Sequence, residues 1–277
     1  GGGFDQGLDI AADLVRHGFR AIAISRFGYL GTPLPRDASV TAQADAYAAV
    51  LDALHVRSCP VLAASAGAPS AMQFALSHPG RVTSLVLMVP ATFSVASEQH
   101  GQGAAPKRMS RFTRIVIEAV LQSDFLFWLA GRVAPATMTR AVLGTLPALV
   151  ASASPRDRAR VQTVLSHILP VSARRLGLLN DAVVIETLPR FALERIAAPT
   201  LLISAADDLY QTFPGARYSA EHIPNARFIG YPSGGHMLVG HNEEVTAEVR
   251  SFVWSSVTPR AGAREPDSAR APAAASI

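Results

Sequence analysis

Lysine is almost absent: Lys107 is the only one among 25 basic residues, and arginine supplies the rest. Against 21 acidic residues the balance is a formal net charge of +4, and no basic cluster is interleaved with aromatic residues. Nucleic acid is therefore not an expected partner. Cysteine is equally scarce. Cys59 stands alone, so no internal disulfide can form and no zinc-type spacing exists. Beside Pro60, at the head of an apolar stretch, it reads as a buried thiol. No apolar run is long enough for a membrane span. The nearest, from Ile115 to Ala130, is interrupted by Glu118, Gln122 and Asp124, whereas a span needs about 18 uninterrupted apolar residues. No secretory leader is visible, which leaves the compartment open with a cytoplasmic setting as the default.

What is present is a chain of 277 residues, 49% hydrophobic and 17% charged, long enough for a large core. Its first third alternates. Residues 5–17 carry Leu8, Ala11, Ala12, Leu14 and Val15 at helical spacing, with Gly18 as a stop. Residues 19–25 read as a buried strand, 39–54 as a helix, 61–64 as a strand, 66–77 as a helix and 84–89 as another buried strand. Repeated strand–helix units with continuous apolar strands predict a doubly wound, mostly parallel sheet covered on both faces. From 92 to 190 no convincing strand occurs, and helical stretches at 111–131, 136–149, 155–167 and 172–180 predict an inserted helical block. Alternation resumes with a strand at 200–204, a helix at 214–222, a strand at 226–231 and a helix at 243–255. The domain expectation is thus a core in two parts, 1–91 and 191–256, a helical cap over 92–190, and a disordered Pro-, Ala- and Arg-rich tail over 257–277.

The segment VLAASAG at 61–67 is the most informative. An apolar strand runs into Ser65, and a helix with Pro69 in its first turn follows. A strand–turn–helix of this kind lifts a serine hydroxyl clear of the sheet edge. The sharp turn strains the serine backbone, so small residues are needed two before and two after it; Ala63 and Gly67 meet that need. A serine hydroxyl also needs a base, and the base an orienting acid. Loops at the carboxyl ends of strands are where a doubly wound sheet carries such groups. The strand at 200–204 runs into Asp207 and Asp208, and the strand at 226–231 runs into PSGGH, ending at His236. The order is Ser, Asp, His.

These motifs resemble the α/β-hydrolase fold family, esterase type with a helical cap, over about residues 1–255. GGGFDQG at 1–7 resembles the end of the family's His-Gly-rich oxyanion loop, and SRFGYLGTP at 25–33 the loop after its fourth strand. AASAG at 63–67 resembles the nucleophile elbow, Asp207-Asp208 the acid loop, and Gly235-His236 the histidine loop. Ala63 departs from the family's usual glycine, a methyl that the tight turn tolerates. The family's first strands and its His-Gly pair are expected upstream of Gly1, so the sheet is expected to lack an edge.

The resemblance implies Ser65 as nucleophile, His236 as general base and Asp208, the second of its pair, as orienting acid, with Asp207 bracing the turn. Ser70 reads as a packing serine, and His241 as a hydrogen-bonding group at the entry to the last helix. Glu98 is too distant to replace the acid. The oxyanion hole would use the N–H of Ala66, where the helix dipole assists, and a second N–H from Gly1 or Gly2. In the cap, Phe112, Phe125, Phe127, Trp128 and Leu129 suggest an apolar pocket, with Phe125, Trp128 and Tyr29 as candidate substrate-lining residues and Arg26 beside them. The implied activity is serine hydrolysis through an acyl-enzyme, first of carboxylic esters of small to medium apolar substrates. Carbon–carbon bond or amide hydrolysis, acyl transfer and cofactor-free peroxidase-like chemistry use the same groups; a hydrolase-like ligand-binding protein is the alternative of another class. Neither metal nor organic cofactor is implied, and the oligomeric state is not legible.

Overall fold

The computed structural model describes residues 2–93 and 120–257. The expectations for Gly1, Glu98, Phe112 and the tail lie outside them. Four strands, β1 (Cys59–Ala64), β2 (Val82–Met88), β3 (Thr200–Ala205) and β4 (Ala226–Tyr231), form one parallel sheet in the order β1-β2-β3-β4. The register explains the apolar runs. Ala63, Leu87, Leu202 and Phe228 face one another across the four strands, and so do Leu62, Val86, Leu201 and Arg227. The first row enters the cluster built with helices α2 (Val40–Ala53) and α3 (Ala68–Ser77). The apolar members of the second row enter the cluster built with α1 (Phe4–Arg16) and the C-terminal helix Asn242–Val257. Both faces of β2 and β3 are covered, so neither strand needs polar alternation. Each large aliphatic side chain buried this way stabilises the fold by about 1.5–3 kcal/mol.

Local signals set the helix ends. Ser39 caps α2 by accepting the Ala42 N–H at 3.2 Å, and Pro69 occupies the first turn of α3. Between β2 and β3 lie α4 (Asp124–Val133), α5 (Pro135–Val142), α6 (Pro147–Ser152), α7 (Pro155–Ser166) and α8 (Arg175–Glu186); α9 (Thr212–His222) precedes β4, and the last helix is α10. The inserted helices bury a third cluster, with Phe127, Met138, Leu143, Val161, Ile168 and Val171 among its members.

Two expectations change. Residues 19–25 form no strand. Phe19 packs on the α10 side and Ile22 on the α3 side, so their apolar character reports burial on both faces without ladder pairing. The helix expected over 136–149 is two, α5 and α6. Gly144 between them adopts a left-handed φ of +55°, and Pro147 starts the second.

Candidate active site

Ser65 follows β1 directly and has φ +52°, whereas Ala64 before it is extended. A serine in this left-handed region costs about 1–3 kcal/mol and persists only where its surroundings hold it. Here a single 3₁₀ turn, Ser65–Gly67, leads into α3, and the Ser65 carbonyl accepts the Ala91 N–H at 3.1 Å from the loop after β2. Position 67 has room for a methyl group. A Cβ placed on Gly67 would meet only the Ala63 methyl, at 3.8 Å, an ordinary contact. Ser70 is buried; its hydroxyl donates to the Gly67 carbonyl and meets the Tyr47 hydroxyl, both at 3.1 Å. It therefore fastens the turn to α2.

The loops after β3 and β4 bring acid and imidazole together. His236 Nδ1 lies 2.8 Å from Asp208 Oδ2, and Asp208 is only 4% exposed. Both carboxylate oxygens are occupied. Oδ1 accepts the Tyr210 N–H at 2.8 Å, and Oδ2 also accepts the Thr212 hydroxyl, itself 2.9 Å from Ser204 Oγ. Asp207 points elsewhere: its Oδ1 accepts the Gly235 N–H at 2.8 Å, so its side chain ties the two loops together. The Tyr210 ring stands edge-on to His236, centroids 4.8 Å apart. Burial pushes the Tyr210 phenol above its ordinary pKa, with the Asp208 charge adding to the effect. His241 stacks on Tyr231 at 3.9 Å and gives its carbonyl to the Val245 N–H of α10. Among the described residues no hydrogen bond joins Ser65 to Asp208 or His236.

Near the start of the chain, the Gly2 carbonyl accepts the Arg26 N–H at 2.8 Å. A Cβ at Gly2 would fall 2.7 Å from the Tyr29 ring, so this close approach requires glycine. Tyr29 is fully buried, and its hydroxyl donates to Asp181 Oδ2 of α8. It braces the loop at 25–33 against α8. Arg26 grips the same carboxylate in a fork, Nη1–Oδ1 2.7 Å and Nη2–Oδ2 2.5 Å. Burial alone would lower the Arg26 pKa, but the charge and hydrogen bonds of Asp181 hold it above its ordinary value. Beside them, buried Arg174 pairs with Asp5. A cleft is lined by Arg26, Gln43, Ala66, Ser70, Asn180 and Asp181 among others. Phe125 and Trp128 line none of it. They are exposed, with ring centroids 6.0 Å apart, and Arg132 lies over Trp128.

Sequence reasoning missed Thr212, Tyr210, Gly144, Thr145 and Asp181. Only Gly144 carried a local signal, a glycine three residues before a proline inside a presumed helix. Among the described residues no group of three His, Cys, Asp or Glu is placed to hold a metal, and no helix is long and apolar enough to cross a membrane.

A family profile described as alpha/beta hydrolase fold matches residues 1–242. No curated protein sequence matches the chain. Among solved structures, an alpha/beta hydrolase fold protein from Nakamurella multipartita is 26% identical, with TM-score 0.65 over 91% of this chain and 88% of that one. An esterase from Exiguobacterium antarcticum is 19% identical, with TM-score 0.63 over 91% and 87%. A bromoperoxidase from Bacillus anthracis is 17% identical, with TM-score 0.62 over 91% and 87%. The parallel sheet, the left-handed serine turn after β1 and the profile match lead to one conclusion: the chain belongs to the alpha/beta hydrolase fold family.

Proposed function

We propose that this protein is a serine hydrolase of the carboxylesterase type, with Ser65 as nucleophile, His236 as general base and Asp208 as the acid that orients it. The observation that carries the reading is the Asp208–His236 hydrogen bond at the carboxyl ends of β3 and β4, on the same sheet edge as the strained Ser65. Bonded at Nδ1 to a buried carboxylate, the imidazole has its Nε2 free for proton transfer. Ser65 Oγ attacks the ester carbonyl while its proton passes to His236. The tetrahedral oxyanion is met by the Ala66 N–H, in the 3₁₀ turn that leads into α3, and by an N–H of the glycine loop. His236 then protonates the departing alcohol. A water molecule, deprotonated by His236, releases the acid and restores Ser65.

Ester hydrolysis is the simplest use of these groups on a small to medium apolar substrate. The inserted helices serve as the cap in this reading, and pocket shape decides which acyl group is accepted. The test is fluorophosphonate labelling of the purified protein, together with turnover of p-nitrophenyl esters of graded acyl length. Labelling and turnover that both vanish in Ser65→Ala support the reading. A folded wild type that does neither points to a ligand-binding protein.

A further inference from the structure

The loop that carries His236 has little structure of its own. Gly234, Gly235, Leu238 and Gly240 all have positive φ, and its internal bonds are turns: Leu238 N–H to Gly235 O at 3.1 Å and Val239 N–H to Gly234 O at 2.8 Å. What holds such a loop in one place must come from outside it. From the core it receives the bonds of Asp207 to Gly235 and Asp208 to His236. Among the described residues, every other hydrogen bond tying 234–240 to another element comes from the segment inserted between β2 and β3.

Those bonds come from two places, the turn between α5 and α6 and the helix α7. In the turn, the Gly144 carbonyl accepts the His236 N–H at 3.3 Å, and Thr145 Oγ1 accepts the Met237 N–H at 3.1 Å. On α7, Asp157 Oδ2 accepts the Gly240 N–H at 2.6 Å, and Arg160 donates to the Met237 carbonyl at 2.8 Å. Asp157 and Arg160 also pair with each other at 2.8 Å. Asp157 is buried, and its own N–H is fixed by the capping hydroxyl of Ser154 at 3.1 Å. Between the two gripped points, Val239 enters the apolar cluster of the insertion and Met237 packs against it. A buried carboxylate needs its charge matched and its lone pairs filled; Arg160 on the same helix supplies the charge, but the N–H that fills Oδ2 comes from Gly240 and is present only while the loop is seated.

We propose that Asp157 and Arg160 are positioning residues: one ion pair on α7 clamps the His236 loop at Met237 and Gly240, so that the cap holds the general base in register. The proposal rests on the reading of His236 as the base. It gives the cap a task beyond substrate selection, since a cap that lifts would release the base with it. Misplacing a catalytic group by about 1 Å costs on the order of 10²-fold in rate.

The experiment compares Arg160→Met, Asp157→Ala, Arg160→Lys and the control Arg156→Ala. Arg156 lies on the same helix but pairs with Glu243 at the exposed surface. Each is assayed with p-nitrophenyl acetate and for its rate of fluorophosphonate labelling, well below its measured Tm. The expected result is a fall in kcat and labelling rate on the order of 10²-fold for Arg160→Met and Asp157→Ala, with KM unchanged. Arg160→Lys, which keeps one donor for the Met237 carbonyl, recovers most of the loss. Arg156→Ala behaves as wild type. Should Arg160→Met not fold, Asp157→Asn carries the test, because it keeps an acceptor for Gly240 but loses the charge that holds Arg160. Variants that lose Tm yet keep wild-type kcat, or in which only KM moves, overturn the proposal and leave the pair a fastener of the cap. A wild type that neither labels nor turns over overturns the proposed function itself, a result distinct from either.

Discussion

Thr212 and His236 meet on one oxygen of Asp208: the threonine hydroxyl and the imidazole Nδ1 both approach Oδ2, while Oδ1 takes the Tyr210 N–H. Ser204 extends the chain of hydroxyls inward from Thr212. The carboxylate thus has one orientation that satisfies every partner, and His236 inherits that orientation. A hydrogen bond to a charged group is worth about 1.5–3 kcal/mol. Thr212→Val is therefore expected to lower kcat/KM on p-nitrophenyl acetate by roughly 10- to 100-fold. Thr212→Ser, which retains the hydroxyl, should stay near wild type.

The two neighbouring aspartates should separate by function. Asp208→Asn keeps the shape but removes the charge that would stabilise the imidazolium and select its tautomer. Its expected cost is on the order of 10⁴-fold in kcat, the scale known for that change in a serine triad. Asp207→Ala removes only the tie to the Gly235 N–H and is expected to cost Tm more than kcat. Equal losses in the two variants would show that the acid has been misassigned.

Acid should weaken the protein through Asp5. Burial opposes ionisation of its carboxyl, but the hydrogen bonds from Arg174 and the Gln6 N–H, with the charge of Arg174, outweigh that and hold its pKa below the ordinary value. A carboxyl whose pKa is lower folded than unfolded contributes stability that is fully present above its unfolded pKa, about 4. That contribution is lost as pH falls through the folded value. Urea midpoints measured from pH 6 down to pH 3 should therefore fall, and the fall should be shallower in Asp5→Asn. The variant is also expected to be less stable at pH 6, because Arg174, only 1% exposed, loses its partner.

Gly144, in the inserted segment, packs closely on the loops that carry Tyr210 and His236. A Cβ there would lie 2.5 Å from the Tyr210 ring and 3.1 Å from His236 Cβ, on a backbone with φ +55°. Gly144→Ala should cost about 1–3 kcal/mol from the backbone strain and the overpacking together. Thermal unfolding should reveal it as a Tm lower by about 2–4 °C per kcal/mol.

How far the sequence discloses this molecule depends on the range of the interaction. Ser65, Asp208 and His236 each follow a strand whose apolar run is self-evident, so their order and loops are legible from local pattern. Residues 19–25 have the same apolar character and yet no ladder, because side-chain burial and backbone pairing are separate conditions. Tyr29 looks like a pocket residue by its neighbours in sequence. Its true partner, Asp181, lies 152 positions away, and no local pattern announces a contact of that span. The grip of Asp157 and Arg160 on the His236 loop is hidden for the same reason.

Ser65 offers the sharpest separation of stability from activity. Its φ of +52° is a conformation that glycine adopts freely and serine does not. Ser65→Gly should relieve that strain, about 1–3 kcal/mol, and raise Tm by several degrees. Ser65→Ala keeps a Cβ in the same backbone and should melt near wild type. Both lack the hydroxyl, so both should lose fluorophosphonate labelling and ester turnover alike. Differential scanning calorimetry of the three proteins side by side checks the stability half. If Ser65→Gly melts no higher than Ser65→Ala, the turn is not strained, and the argument that Ser65 is held there against its own preference fails.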